Sequence, residues 1–128
     1  MMTYCQAERG FTLLEIIAAL VILSILAAVA IPRYISLDES AKQKAIDAGI
    51  AELNGRETLT WSNLKISDSG YQDDTHLFGL LDTTLGVDYS WEGGGPISSG
   101  GTLVFRLSTP VSLSRDGSTT EHPAEWTR

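Results

Sequence analysis

The stretch FTLLEIIAALVILSILAAVAI, from Phe11 to Ile31, decides the fold of this chain. Its 21 residues contain one charged side chain, Glu15, and Pro32 follows directly. A helix that crosses a lipid bilayer needs about 20 predominantly apolar residues. The stretch therefore predicts a helix that is long and apolar enough to span a membrane, with a carboxylate close to its start.

The residues after Pro32 have a different composition. They are polar, rich in glycine and acidic, and the whole chain of 128 residues has a formal net charge of −7. About a hundred residues are enough to bury one small core. We therefore expect an apolar helix joined to a single small head. The acidic balance argues against non-specific binding to a nucleic-acid backbone, which requires clustered Lys and Arg.

The helical pattern continues beyond Pro32. Proline lacks an N–H and crowds the carbonyl four residues earlier, so we expect a kink or a break near residues 28–31. The segment SLDE, residues 36–39, has the spacing of a capping box, which fits either a new helix start or one continuous kinked helix. One-sided apolar spacing then extends to Leu64, and SDSG, residues 67–70, is expected to end the helix.

The second half of the chain predicts a small sheet. The segment THLFGLLDTTLG, residues 75–86, fits a short helical turn or a loop. Three segments have the apolar pattern of strands: VDYSWE (87–92), TLVFRLS (102–108) and PVSLSR (110–115). Because their connections are short, antiparallel pairing is expected. The predicted class is α+β, with a long N-terminal helix, half apolar and half amphipathic, packed on a small antiparallel sheet.

Several residues around the apolar stretch occur in a recognisable register. The small residue Gly10 precedes the aromatic Phe11, the carboxylate of Glu15 follows four residues later, and Pro32 lies 21 residues after the aromatic. With RG before FTLLEI and AIPRY after the helix, this arrangement resembles the class III signal segment of type IV pilins and of the pseudopilins of type II secretion. The resemblance covers about the first third of the chain, and the remainder is similar only in layout.

The resemblance implies a specific processing reaction. A prepilin peptidase and methyltransferase at the cytoplasmic membrane face would cut between Gly10 and Phe11 and methylate the new amine of Phe11. It also implies three parts: a leader over residues 1–10 that is removed together with Cys5, a membrane and filament-core helix over residues 11–32, and a head over residues 33–128.

Glu15 and Pro32 are the predicted assembly residues. A charged side chain within hydrocarbon costs about 2.5–3.5 kcal/mol on insertion scales, so Glu15 needs a partner. The resemblance implies that this partner is the amine of Phe11, from the same chain or from a neighbouring subunit, so that assembly removes the cost and fixes the register. Two simpler interpretations stay open. Glu15 could lie at headgroup level near a helix start, and Pro32 could mark only the end of the membrane helix.

The implied function is structural. The chain would be a subunit of a type IV pilus or pilus-like filament, a homo- or hetero-oligomer with other pilins, built by an inner-membrane assembly platform. It would reside first in the cytoplasmic membrane as a single-pass precursor and then in a periplasmic or extracellular filament. A pseudopilin of a type II secretion system is the alternative. A conventionally secreted binding protein, cut after the AVA of residues 28–30, is a further one, although Glu15 within the apolar stretch speaks against it.

No enzyme is expected, since the two histidines, His76 and His122, accompany no catalytic motif and are expected in solvated loops. No cofactor is expected either. Four carboxylates could still supply oxygen ligands for calcium: Asp73, Asp74, Asp82 and Asp88.

The remaining candidates concern the head. Arg106 and Arg115 form no basic cluster, so no nucleic-acid partner is expected. The three tryptophans are expected in the head core rather than on a binding surface: Trp61, Trp91 and Trp126.

Substitution of Gly10 by valine tests the proposed cut. Gly10→Val should block cleavage, because a branched side chain at the cut obstructs the extended backbone that a peptidase needs. Immunoblotting of the membrane fraction should then reveal a precursor heavier than the mature chain by the ten-residue leader. Normal processing of this variant would refute the proposed position of the cut.

Overall fold

The computed structural model describes residues 10–128. In chain order its elements are α1 (Leu13–Ile66), α2 (Asp74–Leu80), β1 (Tyr89–Trp91), a single 3-10 turn (Glu92–Gly94), β2 (Gly100–Phe105), β3 (Val111–Arg115) and β4 (Trp126–Thr127). The fold is α+β, as the sequence predicts. The chain divides into two compact units, one ending at Glu39 and one over Ser40–Arg128, and α1 contributes residues to both.

Helix α1 is continuous through Pro32. It runs over 54 residues without interruption, so the predicted break near residues 28–31 is wrong, while a bend without a break stays a prediction. A proline removes one N–H from the helical ladder, and the alanine-rich turn before it favours the helix. The predicted end is confirmed, since α1 stops at Ile66 and the backbone N–H of Ser67 donates to the carbonyl of Leu64.

The four strands form one antiparallel sheet in the order β1-β2-β3-β4. Tyr89 pairs with Phe105 across β1 and β2, and Leu103 pairs with Val111 across β2 and β3. All three predicted strands are therefore confirmed. Strand β4 adds an edge strand of two residues, in which Trp126 attaches the C-terminal residues to the sheet.

The core of the Ser40–Arg128 unit lies between the sheet and the second half of α1. Its buried apolar members come from α1 (Ile46 and Leu53), from the sheet (Leu103, Leu113 and Trp126) and from the end of α2 (Leu81). Trp91 packs on Trp126 with ring centroids 5.8 Å apart. Trp61 differs from the core prediction, because it is only half-buried and its indole N–H donates to the carbonyl of Thr119.

Gly49 sets the closest approach of α1 to the sheet. A Cβ at this position would lie 3.0 Å from Cε1 of Tyr89 and 3.3 Å from Cδ1 of Leu85. The hydroxyl of Tyr89 reaches the helix backbone and donates to the carbonyl of Ala45 over 2.7 Å. Gly49 therefore gives the helix room to pack, although glycine is a poor helix former.

Two glycine substitutions in α1 should have opposite effects on stability. Gly49→Val should lower the free energy of unfolding by about 1–3 kcal/mol, because its side chain overpacks the space filled by Tyr89 and Leu85. Gly55→Ala should raise it by up to about 1 kcal/mol, because helix propensity improves and no atom lies within 4 Å of the added Cβ. Denaturant unfolding of the full chain in detergent, followed by tryptophan fluorescence, measures both. Equal effects of the two changes would contradict a packing role for Gly49.

Candidate assembly segment

The start of α1 is capped by reciprocal hydrogen bonds between Thr12 and Glu15. The backbone N–H and the hydroxyl of Thr12 both donate to Oε2 of Glu15, over 2.8 and 2.9 Å, and the N–H of Glu15 donates to the Thr12 hydroxyl over 3.2 Å. This is a capping box, with Thr12 preceding the helix and Glu15 in its first turn. The sequence interpretation missed Thr12, although the Thr-x-x-Glu spacing signals it.

The capping box fixes the orientation of the Glu15 carboxylate. Both Thr12 donors use the same carboxylate oxygen, and Oε1 accepts no hydrogen bond from residues 10–128. The carboxylate is thus oriented by its own helix start but is not neutralised by a cation in this region. One oxygen stays available for a positively charged donor.

The apolar part of α1 is not covered by any of the residues that the structure describes. Every residue from Gly10 to Ala41 is exposed, and Phe11 is 83% exposed. Within the described residues, α1 is the one helix that is long and apolar enough to cross a membrane, with a window of mean hydropathy 2.8 and none of it buried. Continuous apolar surface of this extent marks contact with lipid or with other chains.

Gly10, Phe11 and Glu15 lie together at the start of α1, whereas Pro32 lies apart from them. Pro32 follows Glu15 by 17 positions, which correspond to about 26 Å of helix at 1.5 Å per residue. Ser24 lies between Glu15 and Pro32, and Ser36 lies after Pro32. Their hydroxyls donate to carbonyls of the preceding turn, over 2.8 and 2.9 Å. Such bonds satisfy hydroxyl groups without partners from outside the helix.

Comparisons with known proteins single out the same segment. The family model of the prokaryotic N-terminal methylation motif matches residues 5–31. The type IV narrow pilus major component PilA5 of Thermus thermophilus is 44% identical over 43 residues. Over this N-terminal segment the chain is similar to type IV pilins. The aligned part covers 34% of this chain and 37% of the relative, and no solved structure gives a significant match.

Arg115 is buried in the head, so it is not available to a nucleic acid. The side chains of Arg115 and Glu57 are both fully buried and form an ion pair, in which Nε of Arg115 donates to Oε1 of Glu57. Nη2 of Arg115 also donates to Oδ1 of Asp74 over 2.9 Å, and the indole N–H of Trp126 donates to Glu57 over 3.0 Å. One cluster thus connects α1, α2, β3 and β4.

Burial and hydrogen bonding compete in this cluster. Burial of Asp74 opposes its ionisation, but hydrogen bonds from Arg115 and Ser118 outweigh that effect and lower the pKa of Asp74 to about 2. Burial also disfavours the charge of Arg115, yet its hydrogen bonds to Asp74 and Glu57 raise the pKa of Arg115 above its ordinary value. The pair of Asp74 and Arg115 is therefore charged at neutral pH.

The four candidate calcium ligands have separate partners. Asp73 caps α2, Asp74 joins Arg115, Asp82 accepts from the N–H of Thr84, and Asp88 pairs with Arg106. Among residues 10–128, no three or more His, Cys, Asp or Glu side chains are placed to hold a metal.

The two histidines lie in different kinds of structure. His76 lies within α2, so the prediction of a solvated loop is wrong for this residue. His122 does lie exposed in the connection before β4.

Acidification should weaken the head through Asp74. Because its pKa is lower in the folded state than the ordinary 3.8, Asp74 stabilises the fold above that value and loses the contribution as pH falls from 3.8 to about 2. Asp74→Asn should therefore lower stability at neutral pH and flatten its decline across this acid range. Urea midpoints of the full chain in detergent measure both effects, with Asp68→Asn, an exposed carboxylate beyond α1, as the control. An unchanged acid slope in Asp74→Asn would contradict this assignment.

Proposed function

We propose that this chain is a structural subunit of a type IV pilus or pilus-like filament that is cut between Gly10 and Phe11 and assembles through α1. One observation supports this proposal above others. The methylation motif, matched over residues 5–31, includes the first part of α1, whose apolar side chains are exposed. A chain with such a surface requires lipid before assembly and other copies of the helix after it.

The transfer from membrane to filament needs a driving force other than the hydrophobic effect. Lipid tails are as apolar as leucine, so little is gained when α1 leaves lipid for a bundle of similar helices. Close packing and charge pairing supply the difference. The small residues permit close approach of helices in such a bundle: Ala18, Ala19, Ala27, Ala28 and Ala30.

Cleavage would create a charged partner for Glu15, for which residues 10–128 supply no cation. Cutting before Phe11 frees an amine one residue ahead of Thr12, and methylation of an amine preserves its positive charge. The amine of a neighbouring subunit can then reach the open oxygen of Glu15, while the capping box holds the carboxylate in place. Pairing in a low-dielectric bundle penalises any other register, because a shifted helix leaves both charges unpaired.

The proposed partners follow from this cycle. A prepilin peptidase and methyltransferase processes the precursor in the cytoplasmic membrane, and an inner-membrane platform adds it to a filament of identical or related pilins. The filament is periplasmic or extracellular. A role as a pseudopilin of a type II secretion system stays the alternative prediction, and imaging of surface filaments that contain the chain separates the two.

Removal of the Glu15 charge tests the assembly model. Glu15→Leu and Glu15→Ala should still insert into the membrane but should yield few filaments, because no carboxylate remains to pair with the neighbouring amine. Immunoblotting of sheared filaments against the membrane fraction measures the ratio. Thr12→Val is the matched control, since it removes the hydroxyl from the capping box and retains the charge, and most of its assembly should persist.

Two results would contradict the proposal. Normal filament yield from Glu15→Leu would exclude charge pairing as a requirement for assembly. Mass spectrometry of the native chain should find a methylated Phe11 as its first residue, and a first residue at Ile31 would instead indicate ordinary secretion.

A further inference from the structure

The peptide bond that we propose to be cut lies just outside α1. Gly10, Phe11 and Thr12 are not helical, and α1 begins at Leu13. The first backbone bond of the helix runs from the N–H of Ile16 to the carbonyl of Thr12 over 3.2 Å. Among residues 10–128, no backbone N–H donates to the carbonyl of Gly10 or Phe11. The carbonyl of the scissile bond is therefore not engaged by the helix.

The capping box uses two N–H groups with which the helix would otherwise continue toward the leader. In a longer helix, the N–H groups of Thr12 and Glu15 would each donate to the carbonyl four residues earlier. Instead, the N–H of Thr12 donates to Oε2 of Glu15 over 2.8 Å, and the N–H of Glu15 donates to the Thr12 hydroxyl over 3.2 Å. The pair therefore fixes the start of α1 two residues after the bond between Gly10 and Phe11.

The sequence before the cut does not by itself stop a helix. Residues 7–9, AER, are good helix formers, and only Gly10 among residues 7–10 is a poor one. A glycine weakens a helix without ending it, since Gly49 and Gly55 both lie inside α1. The stop signal between the leader and α1 is therefore the cap at Thr12.

Gly10 has no packing role among the described residues. Apart from its chain neighbours, no atom would lie within 4 Å of a Cβ at this position, and the residue is exposed. Gly10 is also not one of the glycines with positive φ. Neither packing nor backbone strain accounts for a glycine here, whereas access of a peptidase to an extended backbone does.

We propose that Thr12 is a positioning residue for the cut, because its capping box keeps the bond between Gly10 and Phe11 outside the helix and open to the peptidase. This inference rests on the proposed function. A peptide bond inside a helix is closed to a peptidase, so the rate of cutting follows the fraction of chains in which the bond is open. The cap at Thr12 holds that fraction high.

The chemical step itself is an ordinary hydrolysis. The oxygen of a water molecule bonds to the carbonyl carbon of Gly10, and the C–N bond to Phe11 breaks. Both protons of the water pass to the leaving nitrogen, which yields a carboxylate on Gly10 and an ammonium group on Phe11. Thr12 takes no part in these bond changes and acts only through the backbone that it holds open.

Cleavage kinetics of the full precursor test this role. Thr12→Ala removes the cap and introduces a strong helix former, so the helix should extend across the bond in most chains. A peptidase that binds only the open form then has a lower apparent affinity, and KM should rise roughly fivefold while kcat stays unchanged. Purified precursor in detergent with a prepilin peptidase, followed by mass spectrometry of both products, measures the two constants.

Thr12→Asn separates capping from direct recognition of the hydroxyl. Asparagine caps helices at least as well as threonine but has no hydroxyl, so Thr12→Asn should keep the KM of the unmodified precursor. Ser24→Ala is the matched control, because it removes a hydroxyl of α1 that donates to the carbonyl of Val21 and caps nothing. A raised KM for Thr12→Asn, or an unchanged KM for Thr12→Ala, would overturn the inference. An unmodified precursor that is not cut between Gly10 and Phe11 would instead refute the proposed function.

The same reasoning applies to Thr12→Val, the control for assembly. Valine also removes the cap, but as a β-branched residue it favours a helix less than alanine does. Its KM should therefore rise less than that of Thr12→Ala, and its precursor should still be fully processed in growing cells.

Amide exchange reports the start of the helix without the peptidase. In the uncut chain, Thr12→Ala should let the N–H of Leu14 donate to the carbonyl of Gly10. Exchange of the Leu14 N–H with deuterium, followed by NMR of the full chain in detergent micelles, should then slow roughly fivefold, because the same open fraction governs exchange and cutting. Thr12→Asn should leave this rate unchanged. Equal exchange in Thr12→Ala and the unmodified chain would show that the cap does not set the helix start.

Discussion

The exposed apolar surface of α1 is the constraint on which the rest of this molecule depends. None of residues 10–41 is buried, and the described part of the head has no segment that covers them. Lipid can cover such a surface, and so can other helices of the same kind, but water cannot be its permanent neighbour. In the assembly that we propose, the head must therefore remain folded while the helix exchanges lipid for other helices.

The head meets this requirement with a small core and a buried charged cluster. Aromatic and aliphatic side chains fill the space between the sheet and α1, and Gly49 lets the helix backbone approach them. Arg115 joins four elements through Glu57 and Asp74. A buried ion pair contributes little net stability over an apolar replacement, but a misplaced one is costly. The cluster therefore specifies how the elements of the head pack.

The sequence predicted those features of the structure that depend on residue types close together in the chain. The apolar stretch and the strand segments were predictable because each is set by residue type at short spacing, and the methylation motif matches the segment that the resemblance singled out. The sequence left open whether the helix breaks at Pro32 or continues, because a proline lowers helix stability without deciding whether flanking turns compensate. Strand β4 was not predicted, because a strand of two residues is too short to show the alternation of apolar and polar side chains. The pairing of Glu57 with Arg115 spans 58 positions, and no local pattern reports it.

In the assembly that we propose, the apolar helix, the charge pair at Glu15 and the head have different roles. Leucine, isoleucine and alanine side chains of α1 are nearly interchangeable in a bundle, so packing alone permits sliding and rotation of one helix against another. A single charge pair at Glu15 removes the axial freedom, because every shifted register strands a charge in hydrocarbon. It does not fix the direction in which the next copy is placed. Contacts between heads would have to supply that direction, because the helices and the charge pair leave it open.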